Sequence, residues 1–380
     1  MRVLLPVFEW SRAGGIEAVT VQITHAFARL GAQVDVWSVM QPGAPDVGGV
    51  AARGLAPAGR VARSVNGRWL WRRRLAREIA RRASGYDLVV AGHASLLAPI
   101  REGLSGLRRR PPCWVWAYGI EVWGGPGEQV ARDLAWADHV VSISRFTAEQ
   151  VKAWVPAERL TVIPPLVDVE TFTPAETPVE RSEILIAGRM STAERYKGHE
   201  VLFAALPKVE ERLGRPVRLR VVGDGDLRPE LQARAAAMGL AERVEFTGRL
   251  PLSGLLEAYR RCAVFAMPSR VERRPAGLWT GEGFGIVYLE AQACGRPVLA
   301  STDGGAPETV RPGETGLLAD PANAEAVADA LAGLLADPGR ADQMGRAGRA
   351  FVVDNFSEAR FRERLHELLT RARILSSTEE

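Results

Sequence analysis

Short apolar runs alternate along the chain with stretches in which apolar residues recur every three or four positions. The runs are almost continuously apolar, as in parallel strands covered on both faces, and the intervening period is that of α-helices. A helix predicted over residues 16–30 stops at Gly31, a residue suited to a helix end. The first half of the chain contains the runs RVLLPVF, QVDVWSVM, DLVVAG, CWVWAYG, HVVSIS and LTVIPP. This alternation predicts a parallel α/β domain.

The alternation stops and then starts again. Residues 162–180, VIPPLVDVETFTPAETPVE, contain several prolines and small polar residues that break regular structure, so we place a domain linker there. The second half contains the runs EILIAGR, RLRVVGDG, RVEFTGR, AVFAMPS, RPVLAST and GLL. We therefore predict a second doubly wound domain, with candidate site residues at the carboxyl ends of the strands.

Length and composition agree with two soluble domains. A chain of 380 residues with 47% apolar and 25% charged residues is too long for one ordinary core. Its three cysteines, Cys113, Cys262 and Cys294, form no C-x-x-C pair, which favours a reduced, cytoplasmic compartment. Because Glu9 interrupts the apolar N-terminus and no run of 18 apolar residues occurs, we expect no signal peptide and no membrane-spanning helix.

The net charge of +4 is unevenly distributed, since residues 53–82 hold ten arginines and one acid, Glu78. Two interpretations stay open: a solvated basic face, or an interfacial helix attracted to anionic lipid on the inner face of the cytoplasmic membrane. The apolar stripe of such a helix would consist of Trp69, Leu70, Leu75, Ile79 and Ala80. Nucleic acid is disfavoured as a partner because several stacking aromatic residues are not interleaved with the arginines.

Two segments offer anion binding. In GRMSTAERYKG, residues 188–198, Arg189 stands at a strand end and Lys197 just before a helix. An arginine fork and a lysine point charge together suit a diphosphate, although two exposed surface cations are the alternative. Gly14 and Gly15, after the first strand, would let the first amides of the following helix approach an anion closely.

The stretch GEGFGIVYLE, residues 281–290, puts Glu282 in a loop and Glu290 about one turn into the next helix. Glycines on both sides of Phe284 allow a sharp turn, so that helix-end amides converge on phosphate or sugar hydroxyls. Glu282 would accept hydrogen bonds from a sugar and Glu290 from a polyol such as ribose, unless both are solvated surface carboxylates. The amides concerned are those of Gly283, Phe284, Gly285, Ile286 and Val287.

The other motifs give weaker indications of function. Asp224 and Asp226 in GDGDL could hold a divalent metal, but we interpret them as turn residues, because Arg189 and Lys197 already supply positive charge. The same stretch fails the dinucleotide fingerprint G-x-G-x-x-G at Arg228. The motifs G-x-x-x-x-G-K-[ST], G-x-S-x-G and H-E-x-x-H do not occur, so ATPase and hydrolase functions lose support and no metal site is predicted.

As a set, these motifs resemble glycosyltransferase family 4, the retaining nucleotide-sugar transferases with the GT-B fold. The resemblance is carried by GGIE, VVSISRFTAEQV, VIPPLVD, GRMSTAERYKGHEVL, VVGDGDLRPEL, VEFTGRL and GEGFGIVYLEAQACGRPVLASTDGGAPETV. It implies two Rossmann-like α/β domains facing a central cleft. These would be an acceptor-binding domain over residues 1–166, a nucleotide-sugar-binding domain over 167–355, and a C-terminal helix over 356–380 that packs on the N-terminal domain.

The resemblance also implies residue roles. Arg189 and Lys197 would bind the donor diphosphate, Glu290 the ribose, and the backbone near Leu250 the base. The transferred sugar would be held by Glu282 and by the amides of Gly283, Phe284 and Gly285. Catalysis is thus assigned to Arg189, Lys197, Glu282 and, with a changed residue type, Tyr118.

Tyr118 marks a departure from the family pattern. Many members carry a histidine that contacts the transferred sugar where this chain reads AYGIEVW, and Tyr118 stands in its place. A phenol can donate a hydrogen bond to a sugar hydroxyl, but it cannot act as a base near neutral pH. His93 is interpreted as a helix N-terminal residue satisfied by the backbone. Residues 271–281, VERRPAGLWTG, form a longer loop than is usual, which we assign to donor or acceptor access.

The implied reaction is transfer of a hexosyl unit from a nucleoside diphosphate sugar to a hydroxyl of a glycan or lipid-linked acceptor, with retained configuration and no required cofactor or metal. The segment FGIVYLEAQACG is similar to the corresponding segment of mannosyltransferases that act on membrane-associated acceptors. This similarity favours GDP-mannose over UDP-sugars as the donor. Two alternatives stay open. A nucleotide-sugar epimerase would need titratable groups beside the sugar, and a non-catalytic nucleotide-sugar or lipid-binding partner protein is suggested by Tyr118.

Overall fold

The structure is a computed structural model of the whole chain. It describes residues 1–11, 14–41, 44, 46–55, 65–125, 127–273, 277 and 279–374, with the backbone alone for residues 65–69. The chain divides into two units, one formed by Met1–Leu166 with Glu358–Glu380 and the other by Val167–Ser357.

A sheet of eight strands, counted over the described residues, forms the centre of the first unit. Its strands are β1 (Arg2–Val7), β2 (Gln33–Ser38), β3 (Asp46–Val47), β4 (Val50–Gly54), β5 (Leu88–Ala91), β6 (Cys113–Ala117), β7 (His139–Ser142) and β8 (Leu160–Val162). They lie in the order β3-β4-β2-β1-β5-β6-β7-β8, and all neighbours are parallel except β3 and β4. The strands β5, β6 and β7 are buried throughout, which explains their continuous apolar sequences.

Counted over the described residues, five helices follow these strands in sequence. They are α1 (Gly15–Arg29), α2 (Val65–Arg82), α3 (Leu97–Leu104), α4 (Glu128–Trp136) and α5 (Arg145–Val151). Helix α1 lies one residue ahead of its predicted position and ends before Gly31, whose φ of 78° is the left-handed value expected after a helix.

The second unit has its own parallel sheet. Its strands are β9 (Glu180–Ala187), β10 (Arg218–Val222), β11 (Val244–Gly248), β12 (Cys262–Ala266), β15 (Val298–Ser301) and β16 (Gly316–Ala319), with a separate antiparallel pair β13 (Glu272–Arg273) and β14 (Trp279–Thr280). The order β11-β10-β9-β12-β15-β16 places β9 and β12 next to each other, so the chain direction across the sheet reverses there. Ligands of open α/β sheets bind at such a point, outside the carboxyl ends of the strands.

Helices follow the strands of this second sheet, and the last described helix belongs to the first unit. They are α6 (His199–Leu213), α7 (Arg228–Ala237), α8 (Leu252–Arg261), α9 (Ile286–Ala293), α10 (Ala324–Ala336), α11 (Pro338–Phe356) and α12 (Glu358–Arg371). Helix α12 belongs to the first unit, where it packs on α1 through its buried face, which includes Phe361 and Leu365. At its end Arg371 donates a hydrogen bond to Thr161 at 2.8 Å. Among the described helices, none is long and apolar enough to cross a membrane.

Helix α2 carries the described part of the basic segment 53–82; residues 56–64 and the Trp69 side chain lie outside the description. Of the two interpretations left open, the lipid-facing stripe is wrong at Leu75 and Ile79, which are fully buried inside the first unit. Trp71 is buried with them and meets the ring of Phe8 edge-on at 5.7 Å. The apolar face of α2 is therefore used for packing, and its exposed face carries the arginines.

Close packing of α2 on α3 depends on Gly103. A Cβ atom at this position would lie 2.5 Å from the carbonyl oxygen of Ala76 and 2.6 Å from Cβ of Ile79. Because a real Cβ does not approach backbone atoms so closely, α2 can pack here only against a glycine.

We predict that Gly103→Ala forces α2 away from α3 and costs about 1–3 kcal/mol of stability. Thermal unfolding of the full chain should show a lower midpoint for the first unit. Gly106→Ala is the matched control, since a Cβ there would meet nothing within 4 Å. An unchanged midpoint for Gly103→Ala would contradict the packing described here.

Candidate functional site

Two cations converge on one carboxylate at the end of β9. Arg189 Nε donates to Glu194 Oε1 at 2.9 Å, and Lys197 Nζ lies 2.8 Å from Glu194 Oε2. Lys197 is 13% exposed, whereas Arg189 is 64% exposed. Burial opposes ionisation of Glu194, but the hydrogen bonds and charges of Arg189 and Lys197 outweigh it and lower its pKa. The cluster is therefore charged at neutral pH.

Backbone contacts fix Arg189 in place. A Cβ at Gly223 would lie 1.9 Å from the carbonyl oxygen of Gly188, and one at Gly225 would lie 2.0 Å from that of Met190. Both glycines also have positive φ, of 135° and 154°. The loop after β10 can thus lie directly against residues 188–190, with Met190 N–H donating to the Asp224 carbonyl at 3.0 Å.

Asp224 and Asp226 stabilise this turn, as their interpretation as turn residues requires. Asp226 accepts hydrogen bonds from the amide and hydroxyl of Thr192, at 3.0 and 2.7 Å. Asp224 accepts from the amide of Gly225 at 2.9 Å and lies 3.6 Å from Arg228. Within the described ranges, no three His, Cys, Asp or Glu side chains are grouped as ligands of a metal ion.

Glu282 belongs to the same charged cluster. Burial raises the pKa of Glu282, and the nearby charge of Glu194 adds to this effect, while Lys197 and the amide of Phe284 oppose it. Its carbonyl oxygen accepts a hydrogen bond from Gly305 N–H at 3.0 Å, which fixes the loop. Glu282, which is far from Glu194 and Lys197 in the sequence, is therefore brought close to both.

The GFG segment forms the predicted sharp turn into α9. Gly285 caps the helix with φ of 98°, a left-handed value that glycine adopts without strain. The Phe284 side chain is buried against Phe356, with ring centres 5.7 Å apart, so only its backbone is available to a ligand. The first amides of an α-helix have no partner within the helix, so those of Ile286 and Val287 define a donor surface here.

Glu290 lies on α9, on the side that faces α8. It accepts a hydrogen bond from the hydroxyl of Tyr259 at 2.7 Å. Burial raises the pKa of Glu290 and this hydrogen bond opposes the shift. Leu250 is half-buried and lies in the segment between β11 and α8.

In the first unit, Gly14 and Gly15 stand at the start of α1 as predicted. A Cβ at Gly14 would lie 2.2 Å from Oε2 of Glu17, so the carboxylate of Glu17 is folded back over this helix end. An anion bound by the amides of α1 would have to displace that carboxylate. The structure thus weakens the expectation of anion binding at Gly14 and Gly15.

Tyr118 lies at the carboxyl end of β6 but is buried. Its hydroxyl is 3.3 Å from Thr20 Oγ1, and its amide donates to Glu121. Burial raises the pKa of Tyr118 well above the usual range of a phenol. The phenol is therefore held neutral and already has a partner, which makes it a poor candidate for contact with a sugar.

Part of the long loop 271–281 is described. Glu272 and Arg273 pair with Thr280 and Trp279 as β13 and β14, and the guanidinium of Arg273 lies 4.4 Å from the Trp279 ring centre. Residues 274–276 and 278 lie outside the description, and the role in donor or acceptor access stays a prediction.

Sequence reasoning missed Glu194, Tyr259 and Glu17. Glu194 was within the quoted cationic motif, three residues before Lys197, and that spacing could have indicated an ion pair. Tyr259 and Glu290 are 31 residues apart in sequence, and no local pattern joins them.

Two parallel α/β sheets, each with candidate site residues at the carboxyl ends of its strands, are characteristic of the GT-B fold of glycosyltransferases. Sucrose-phosphate synthase from Thermosynechococcus elongatus matches with a TM-score of 0.80 at 23% identity, covering 98% of each chain. Anabaena HepE in complex with UDP and glucose matches with a TM-score of 0.76 at 20% identity, covering 97% of this chain and 99% of that one. The GT-B prediction is confirmed.

Comparison of the sequence with protein families identifies the family within this fold class. The family "Glycosyltransferase Family 4" matches residues 13–171, and "Glycosyl transferases group 1" matches residues 170–351. The chain belongs to glycosyltransferase family 4, and the resemblance seen in its motifs is confirmed.

Curated relatives cover part of the chain. The GDP-mannose-dependent alpha-(1-6)-phosphatidylinositol monomannoside mannosyltransferase of Mycolicibacterium smegmatis is 40% identical over 244 residues, which are 62% of each protein. The D-inositol 3-phosphate glycosyltransferase of Segniliparus rotundus is 33% identical over 238 residues, covering 60% of this chain and 50% of that protein. The match thus spans half to about three fifths of the length of these relatives.

The charged cluster generates a prediction about Glu194. If its carboxylate occupies the position of an anion between Arg189 and Lys197, then Glu194→Gln should bind inorganic pyrophosphate about tenfold more tightly, or about 1.4 kcal/mol. The neutral amide keeps the size of the side chain while it removes the competing charge. Isothermal titration calorimetry at neutral pH measures the change.

Glu230→Gln is the matched control, because it removes the same charge from the partner of Arg195, a neighbour of the cluster. It should change pyrophosphate affinity much less. Weaker binding by Glu194→Gln would show instead that Glu194 holds the two cations in a productive arrangement.

Proposed function

We propose that the protein is a retaining glycosyltransferase that moves a hexosyl unit from a nucleoside diphosphate sugar to a hydroxyl of a glycan or lipid-linked acceptor. The observation that carries the proposal is the convergence of Arg189 and Lys197 at the end of β9, beside Glu282. Family membership supports it, and so does the activity named for the Mycolicibacterium relative.

The donor diphosphate is assigned to Arg189 and Lys197. Together with Glu194 they carry one net positive charge. When an anionic ligand displaces the Glu194 carboxylate, both cations face the ligand directly. The N-terminal amides of α9 add a positive helix end, with no side chain at Gly283 or Gly285 to block approach.

The rest of the donor follows from α9 and its surroundings. Glu290 would bind the ribose, since Tyr259 holds one of its carboxylate oxygens and so orients the other. Glu282 and the amides of Gly283 to Gly285 would hold the transferred sugar, and the backbone near Leu250 would meet the base. GDP-mannose is favoured as donor because the Mycolicibacterium relative is named GDP-mannose-dependent.

The catalytic contribution of these groups is electrostatic. Negative charge builds on the leaving diphosphate while the sugar becomes oxocarbenium-like, so cations fixed beforehand stabilise the transition state more than the ground state. The acceptor hydroxyl would attack from the face of the leaving group, whose departing oxygen takes its proton. No side-chain base is then needed, and the neutral phenol of Tyr118 is compatible with this course.

The basic helix α2 is assigned to contact with an anionic membrane surface. Its apolar face is buried in the first unit, so attraction would come from the exposed arginines, among them Arg72, Arg74 and Arg77. Leu70 is the exposed large apolar residue on the described part of this helix. A lipid-linked acceptor, as in the name of the Mycolicibacterium relative, would be met at such a surface.

Replacing Lys197 tests the reaction. Lys197→Ala should lower kcat for sugar transfer about 100- to 1000-fold, because a cation at the leaving group is lost. The thermal midpoint should change by no more than a few degrees. Lys208→Ala, which removes an exposed lysine paired with Glu325 in the same unit, is the control and should retain activity.

A fully active Lys197→Ala enzyme would contradict the assignment of the diphosphate. Release of sugar by the unmodified protein without any acceptor is measured in parallel. If the donor binds but no sugar is ever released or transferred, the protein is a binding partner and not an enzyme.

The donor nucleotide is tested by thermal shift. A ligand at 100 times its Kd stabilises the folded unit by about 2.7 kcal/mol, so the preferred nucleotide raises the midpoint most at equal concentration. We expect GDP-mannose to exceed UDP-glucose. A larger shift with UDP-glucose would overturn the choice of GDP-mannose while leaving the transferase proposal intact.

A further inference from the structure

A second group of polar and aromatic residues lies at the carboxyl edge of the first sheet. Phe8, His93 and Tyr118 closely follow β1, β5 and β6, which are neighbours in the sheet. The His93 ring lies 5.1 Å from the Phe8 ring and 6.3 Å from the Tyr118 ring, nearly parallel to the latter at 22°. An imidazole is thus held between two aromatic rings where open α/β sheets bind ligands.

The backbone fixes the tautomer of His93. Its Nδ1 accepts a hydrogen bond from the amide of Ser95 at 3.1 Å, which caps the short turn Ala94–Leu96. Because an amide can only donate, Nδ1 carries the lone pair and the proton of the neutral ring lies on Nε2. Burial lowers the pKa of His93, although the carboxylates of Glu121 and Glu17 oppose the shift. The ring is therefore neutral near pH 7.

The Nε2–H group is the part of His93 that a ligand can use. In the described part of the chain, no other group makes a hydrogen bond to it. The neighbouring phenol of Tyr118, by contrast, is buried and shares a hydrogen bond with Thr20. Of these two side chains, His93 therefore has the donor that a ligand can use, while the role of Tyr118 stays a prediction.

The surrounding charge selects the kind of ligand. The carboxylate of Glu17 covers the start of α1, and that of Glu121 accepts from the amide of Tyr118. Two carboxylates beside a neutral imidazole disfavour a phosphate and favour a hydroxyl. Apolar surface is also present, since Ile16 is 38% exposed and Ile120 is 51% exposed at this edge.

We propose that His93 donates a hydrogen bond from Nε2 to a hydroxyl of a neutral polyol ring, which packs its C–H face near Phe8. The identification of this polyol as part of the acceptor rests on the proposed function. The binding of a neutral polyol at His93 does not, because it depends on the first unit alone.

The test uses the full chain with myo-inositol and methyl α-mannopyranoside as neutral probes and inorganic phosphate as the anionic one. Proton–nitrogen spectra of the histidine side chains report on Nε2 of His93 directly. We expect both polyols, or one of them, to shift this resonance saturably. Phosphate should not, and His366, exposed on α12 in the same unit, should not respond.

His93→Asn separates the donor from the cap. Its amide oxygen can still accept from Ser95 N–H, so the turn is kept while Nε2–H is lost. We expect the Kd of the responding polyol, followed by calorimetry, to rise at least tenfold. Unchanged affinity, no response of His93 to either polyol, or a saturable response to phosphate would each overturn the proposal.

Nucleotide binding separates this proposal from the proposed function. His93→Asn should show the same thermal shift with GDP-mannose or UDP-glucose as the unmodified protein, because the donor groups lie in the second unit. If neither nucleotide sugar binds the unmodified protein, the transferase proposal fails while the polyol result stands by itself.

Discussion

The balance of charge at the end of β9 is the constraint on which the site depends. Arg189 and Lys197 are held beside the same carboxylate, and two like charges held close together need a counter-ion. Glu194 supplies it from the short turn between them. A carboxylate that neutralises two cations also marks the place where a phosphate group would be stabilised, so the internal ion pair and the proposed donor site are two uses of one electrostatic feature.

Glycines make this arrangement possible. Gly223 and Gly225 allow the loop after β10 to touch the backbone at Gly188 and Met190, and any side chain there would push the cationic segment away. Gly305 has the same role beside Gly283, where a Cβ would lie 2.1 Å from a carbonyl oxygen. Rigid backbone contacts thus position the charged side chains, which suits a reaction stabilised by groups fixed in advance.

The two units present different chemistry at the carboxyl edges of their sheets. In the second unit, cations and helix-end amides converge near Glu282, which suits an anionic donor. In the first, a neutral imidazole with carboxylates nearby suits hydroxyl groups. This division agrees with a transferase whose donor carries the negative charge and whose reacting acceptor group is a neutral alcohol.

Much of the fold was predictable from the sequence, because continuous apolar runs report burial on both faces. All six runs named in each half are strands of the two sheets. The strands β3, β4, β13 and β14 were missed, because they form two local antiparallel pairs and are too short or too polar to show a pattern. The sequence left two interpretations of α2 open because an amphipathic pattern shows that one face is apolar, but not what covers it.

The sequence by itself determined the alternation of strands and helices, the break near residue 166, and the residue types at the strand ends. These depend on local periodicity and on motifs read over ten residues or fewer. Only the tertiary structure decided the partners of those residues: Tyr259 for Glu290, Thr20 for Tyr118, and the aromatic neighbours of His93. The physical reason is that a hydrogen bond or ring contact depends on distance in space, and parallel strands bring together residues separated by whole helices.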